Sequence, residues 1–116
     1  MADIKFPFGN ADVQIVAVSA TPSVTITDTL TILRQSPTAA VTAFDITAEA
    51  GLTVGSMVKV DIIQDATGRN VTFGSGGDTI IAPVLTGVAS DRDSIWITWD
   101  GTEWTGGVWE KYFDAA

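Results

Sequence analysis

Cysteine and histidine are both absent from the chain, and a good deal of chemistry goes with them. Without thiols there is no disulfide scaffold and no thiolate zinc site, and the redox compartment stays open. Without imidazole the commonest general base is missing, together with the Ser–His and Cys–His nucleophile dyads. Basic residues are scarce. Lys5, Arg34, Lys59, Arg69, Arg92 and Lys111 stand against 14 Asp and Glu, for a net charge of −8. Scattered cations in an acidic chain oppose binding to nucleic-acid phosphates, which takes clustered Lys or Arg. The same surplus favours solubility and holds identical copies apart. No apolar run reaches the roughly 18 residues of a membrane helix, and Met1 to Asn10 lacks the apolar core of a signal peptide. Synthesis as a soluble cytoplasmic product that binds neither membrane nor nucleic acid is the expectation.

What the chain does have is enough apolar material for one core. Its 116 residues match the usual size of a single domain, and 46% of them are hydrophobic, including four Trp and five Phe. A domain of that size folds without a metal or cofactor to staple it. A chain that begins at Met1 and ends at this length is expected to be a standalone product.

Two-residue alternation bounded by Gly, Pro, Asn and Asp dominates the pattern and predicts strands throughout. Val13–Val18 alternates until Thr21-Pro22 stops it. In Val24–Ile32, Val24, Ile26, Leu30 and Ile32 share one face and Thr25, Thr27, Thr29 and Thr31 the other, with a break expected near Asp28. Ala40–Ile46 should turn Phe44 and Ile46 inward, and Met57–Gln64 should do the same with Val58, Val60 and Ile62. Asp65–Asn70 is rich in turn formers and predicts a hairpin to Val71–Phe73. Gly74–Asp78 reads as a flexible loop, followed by a short strand at Thr79–Ile81. Ser94–Trp99 should pair with the chain around Trp104 through Asp100-Gly101, a strong hairpin dipeptide. Thr47–Leu52 is the one place for a helical turn, and it is short. The sum is an all-β domain over residues 12–116, a β-sandwich or jelly-roll of about seven to eight short antiparallel strands. Residues 1–11, with Phe6-Pro7-Phe8-Gly9, are expected to form an N-terminal arm, either docked on a neighbour or stapled across the domain's own base.

Catalytic and metal sites find little support. The carboxylate pairs nearest in sequence are Asp61 with Asp65 and Asp91 with Asp93, the spacing a glycosidase reading would start from. Asp65 suits an Asx turn, and Asp91-Arg92-Asp93 reads as a solvated turn with a local ion pair. Asp78, Asp91 and Asp93 are oxygen donors without the spacing or bidentate Glu of a calcium loop. Gly74-Ser75-Gly76-Gly77 lacks the Lys and the following helix of a phosphate loop. The expectation is no enzyme, no metal and no cofactor.

From Gly55 to Trp104 the order of elements is distinctive. Val58–Ile63 leads into Gln64-Asp65-Ala66-Thr67-Gly68, then Asn70-Val71-Thr72-Phe73 and the glycines from Gly74 to Gly77. Pro83, Leu85-Thr86, Ser94–Trp99 and Asp100-Gly101-Thr102-Glu103-Trp104 complete it. This stretch resembles a β-module that recurs in virion proteins of tailed bacteriophages, especially tail-fibre and baseplate-associated chains. It departs from the pattern at Phe73-Gly74, where the module usually carries an aromatic-Pro step, and residues before Gly55 have no comparable signature. The resemblance implies a structural virion protein, made in the bacterial cytoplasm, that multimerises, with trimers common. The chain is too short for a fibre shaft, which favours a capsid decoration or auxiliary head protein docked on the major capsid protein. A tail or fibre module that binds host-surface glycan is the alternative.

Contact residues are expected among the exposed aromatics and the arm, because Trp and Tyr bury large areas at low entropic cost. In Ser94–Trp99, Ile95, Ile97 and Trp99 share one face, so Trp96 should project outward; the resemblance implies that Trp104 is an inward anchor at the hairpin. The candidates for partner contact are Ile4, Phe6, Phe8, Trp96, Trp109, Tyr112 and Phe113.

Overall fold

The alternating segments become ten β-strands, with no helix among residues 11–113, which the computed structural model describes. They are β1 (Asp12–Ile15), β2 (Ser23–Ile26), β3 (Leu30–Gln35), β4 (Val41–Ala48) and β5 (Met57–Ile63), then β6 (Val71–Phe73), β7 (Ile80–Ile81), β8 (Asp91–Trp99), β9 (Trp104–Gly106) and β10 (Glu110–Phe113). A large sheet runs in the order β1-β3-β5-β8-β9-β7, with β10 also paired to β8, and a small sheet in the order β2-β4-β6. The protein is mostly β.

The expectation of antiparallel pairing fails for the first half of the chain. β1·β3, β3·β5, β2·β4 and β4·β6 are all parallel, as is β7·β9. Among the described strands, β5·β8, β8·β9 and β8·β10 run antiparallel. The reason is the winding. Strands β1 to β6 alternate between the two sheets, so each returns to its own sheet only after a visit to the other, and it returns in the same direction. Asp65–Asn70 is therefore not a hairpin turn, because β5 and β6 belong to different sheets. Alternation reports which faces are buried and says nothing of strand direction. The antiparallel part closes the large sheet where Asp100-Gly101 turns β8 back into β9, with Gly101 at φ 98°, a conformation that suits glycine.

Small-sheet residues Ile26, Phe44, Ile46 and Val71 share one apolar cluster with large-sheet residues Leu33, Val58, Val60, Ile62, Ile95, Ile97, Trp99 and Trp104. Each such side chain contributes roughly 1.5–3 kcal/mol by leaving water. Phe44, Ile46, Val58, Val60 and Ile62 are buried as alternation predicts, and so is Trp104. The Val24–Ile32 segment is divided at Asp28-Thr29 between β2 and β3, and the division reverses the phase. Thr31, Leu33 and Gln35 face inward, while Leu30 and Ile32 turn to the outer side.

The glycine loop after β6 is tied down. Gly74 N–H donates to Phe44 O (2.9 Å), Gly76 N–H to Asp45 Oδ1 (3.0 Å) and Asp78 N–H to Ile46 O (3.0 Å). Ala48 N–H returns a bond to Asp78 Oδ2 (2.6 Å). A Cβ at Gly74 or Gly76 would run into the Asp45 carboxylate, so these glycines serve close approach to β4.

Candidate docking face

The registers of the large sheet line up its outward side chains in rows. Val13 pairs Ile32, Ile32 pairs Lys59, and Lys59 pairs Trp96. Beside that row run Ile15, Arg34, Asp61 and Ser94, and on its other flank Leu30, Met57 and Thr98. β1 is inverted relative to an ordinary half-buried strand. Its polar residues Asp12 and Gln14, joined by a 2.8 Å hydrogen bond, take the more buried positions, while Val13 is 49% and Ile15 78% exposed. A one-residue shift of phase would have buried both. Met57, Ile63 and Trp96 are exposed on the same side, Trp96 to 39%. Aliphatic and aromatic side chains from β1, β3, β5 and β8 thus collect on a face that no described element covers.

A polar cluster sits in the middle of that face. Asp61 is almost fully buried; Ser94 Oγ donates to its Oδ1 at 2.6 Å and Arg34 Nε to its Oδ2 at 3.3 Å. Lys59 Nζ lies 3.6 Å from Oδ1 and 6.0 Å from the centre of the Trp96 ring, the outer limit of a cation–π contact. Arg92 is exposed on the same side, and Glu110 shares it through its pairing with Ser94. Three cations (Arg34, Lys59, Arg92) against two carboxylates (Asp61, Glu110) make this side locally +1 on a chain of net charge −8. Arg, Trp and Met around a dry polar centre are the residue types enriched in protein interfaces.

At the lower edge of the face is a groove of about 400 Å³. Leu30, Met57 and Trp96 form its floor, and the loop Thr53-Val54-Gly55-Ser56 with Thr29 forms its wall. The loop is held by Gly55 N–H to Trp99 O (2.8 Å) and Ser56 Oγ to Thr53 O (2.6 Å).

The carboxylates singled out from the sequence lie elsewhere or are engaged. Asp65 is an Asx-turn residue, accepting from Thr67 and Gly68 N–H and paired with Arg69 at 2.9 Å. The Arg69 side chain, supported by those backbone donors, holds its carboxyl below the ordinary range against the opposing effect of burial. Asp91 and Asp93 are buried at the start of β8, which corrects their reading as a solvated turn. Asp93 accepts from Gln64 Nε2 (3.2 Å) and meets Lys111 Nζ at 3.5 Å. Among the described residues no group of three His, Cys, Asp or Glu is placed to hold a metal.

Of the expected contact residues, Trp96 projects outward into the groove. Trp109 is half-buried, stacked on Phe73 with ring centres 5.9 Å apart, and its Nε1–H donates to Pro83 O (2.9 Å). Tyr112 and Phe113 lie on β10, paired with Arg92 and Asp91. Ile4, Phe6 and Phe8 fall outside the described residues. Sequence reasoning missed the outward Val13 and Ile15 and the Arg34–Lys59–Asp61–Ser94 cluster. The signal available was Asp61 itself, a carboxylate inside the apolar run of β5. Comparison with family models, curated protein sequences and solved structures returns no match to this chain.

Proposed function

We propose that the chain is a structural virion protein of a tailed bacteriophage, a decoration or auxiliary head protein that docks on the capsid shell through the outward face of its large sheet. In this reading the two sheets close over their shared core as a β-sandwich and leave that face for the partner. The observation that carries docking is the inverted strand β1, which turns Val13 and Ile15 to the surface on the same face as Met57, Ile63 and Trp96. Apolar side chains exposed together on one face mark interaction surfaces. The virion assignment rests on the resemblance over Gly55–Trp104. Repeated copies on a symmetric lattice, self-associated or not, would gain avidity without any single tight contact. No catalytic role is proposed, since Asp61, Asp65 and Asp93 are each held by donors within the fold.

A glycan-binding module of a tail or fibre is the second reading, favoured by Trp96 in a groove, since aromatic faces stack on sugar rings. The groove lining contains no carboxylate, carboxamide or guanidinium to grip sugar hydroxyls, which places this reading behind protein docking.

Gold-labelled antibody against the chain, viewed on intact particles, separates the two. Label spread evenly over heads supports decoration, and label at tail or fibre tips supports the glycan module. Bare particles whose dissociated proteins also lack the chain would sink the virion assignment.

A further inference from the structure

We infer, resting on the docking reading above, that the partner's surface sets a carboxylate against Arg34 and Lys59, with apolar side chains around it. Covering this face takes both cations out of water, and the fold supplies a single carboxylate between them. Asp61 accepts from Arg34 Nε through Oδ2 at 3.3 Å, and Lys59 Nζ lies 3.6 Å from its Oδ1. The Ser94 hydroxyl also donates to Oδ1, at 2.6 Å. Two cations share one negative charge, so one positive charge is left over. In the free chain water solvates it, the Arg34 side chain being 40% and that of Lys59 29% exposed. Beneath a purely apolar partner it would be buried without a counter-charge, which is strongly unfavourable.

Arg34 is already held in a form that can take that counter-charge. Asp61 engages its Nε, while its two terminal nitrogens make no hydrogen bond among the described residues. Those nitrogens form the planar fork that grips a carboxylate through two parallel bonds. A fork held in place before the partner arrives loses less freedom on binding. Arg34 pairs with Asp61 across one strand spacing, about 4.8 Å, and Lys59 is two residues from Asp61 along β5, about 6.6 Å. One carboxylate above the pair reaches both. Arg92 is exposed one outward step from Ser94 on β8, has no ion pair among the described residues, and adds to the positive potential there.

The other occupants fit less well. A second copy docked through this face on a two-fold axis would bring the same cations against each other. Nucleic acid asks for many clustered cations, and the chain as a whole carries −8. Val13, Ile15, Met57 and Trp96 are exposed on the same face as the cations, which calls for a partner with apolar side chains of its own, a protein.

Particles assembled without this chain are the probe, mixed with the full chain and read by co-sedimentation. Wild-type affinity should fall about tenfold or more between 0.05 and 0.5 M NaCl, as the screening length shrinks from about 14 Å to about 4 Å. Arg34→Gln should bind about tenfold or more weakly at low salt and respond less to added salt. Asp61 keeps its Ser94 bond in that variant, and an unchanged urea slope establishes that it folds. Arg92→Gln removes an exposed, unpaired cation with no threat to the fold, and it too should respond less to salt. Carbodiimide coupling of the complex should join Lys59 to an Asp or Glu of a shell protein. Wild-type binding that ignores salt, or Arg34→Gln binding as tightly as wild type, overturns the carboxylate and leaves docking standing. Coupling of Lys59 to another copy of this chain instead would put self-association at the face and overturn it as well. Wild-type chain that binds the particles at no salt concentration overturns the docking reading and this inference with it.

Discussion

Replacing Asp61 with alanine should destabilise the fold by about 3 kcal/mol, and most of that should come from one hydrogen bond. The Asp61 carboxylate and Ser94 hydroxyl are both buried and 2.6 Å apart. A buried bond to a charged group contributes about 1.5–3 kcal/mol, and its removal leaves the Ser94 hydroxyl without that partner. The other two partners count for less. The Arg34 side chain is 40% exposed, and Lys59 lies 3.6 Å away. Partly solvated pairs of this kind are worth about 0.5 kcal/mol each. In a urea titration with an m-value of about 1.5 kcal/mol/M, the midpoint should fall by about 2 M with the slope unchanged. In a Ser94→Ala background, Asp61→Ala should cost only about 1 kcal/mol, the ion-pair part. That residue should shrink further in 1 M salt, where screening acts within about 3 Å. Equal losses in the two backgrounds, or a loss below about 1 kcal/mol in the wild-type one, would refute the assignment of Asp61 as the dry centre of the face.

Ile15→Lys should leave the urea midpoint within about 0.5 kcal/mol of wild type, because the side chain is largely solvated. It should weaken binding to intact particles by about tenfold or more, read by co-sedimentation. Gly87→Ala should lower stability by about 1–3 kcal/mol, since its Cβ would meet the backbone of Arg69, which cannot swing aside; thermal unfolding reads this directly. Asp100 should add to the acid sensitivity of the fold. Its carboxyl accepts from Glu103 and Thr102 N–H, both at 2.8 Å, and those donors hold it below its ordinary value of 3.8. A carboxyl lowered in the folded state lends stability above its unfolded pKa, and loses it as pH falls through the folded one. Asp100→Asn should therefore flatten the decline in urea midpoint between about pH 4 and pH 2, and an undiminished slope there would count against the turn.

Alternation by itself determined that the chain is built of strands and which apolar side chains of β5 and β8 face the core. A period of two survives whatever the strand's partner, so Phe44, Val60 and Ile97 were legible in it. The Asp65 and Asp100 turns were legible for a similar reason, because an Asx residue bonds its own neighbours. Trp96 could be placed outward from its phase against Ile95 and Ile97. Only the tertiary structure decided direction, sheet membership and the phase of the edge. The parallel ladders depend on crossings between sheets that leave no mark in local pattern. The Asp28-Thr29 bend reversed the faces of β3, a change of phase that hydrophobicity alone does not locate. β1 alternates as cleanly as any buried strand, yet Val13 and Ile15 point outward and the Asp12–Gln14 pair takes the more buried side. The docking face draws on β1, β3, β5 and β8. Residues so far apart in the chain meet only through register, and register is a property of the whole sheet.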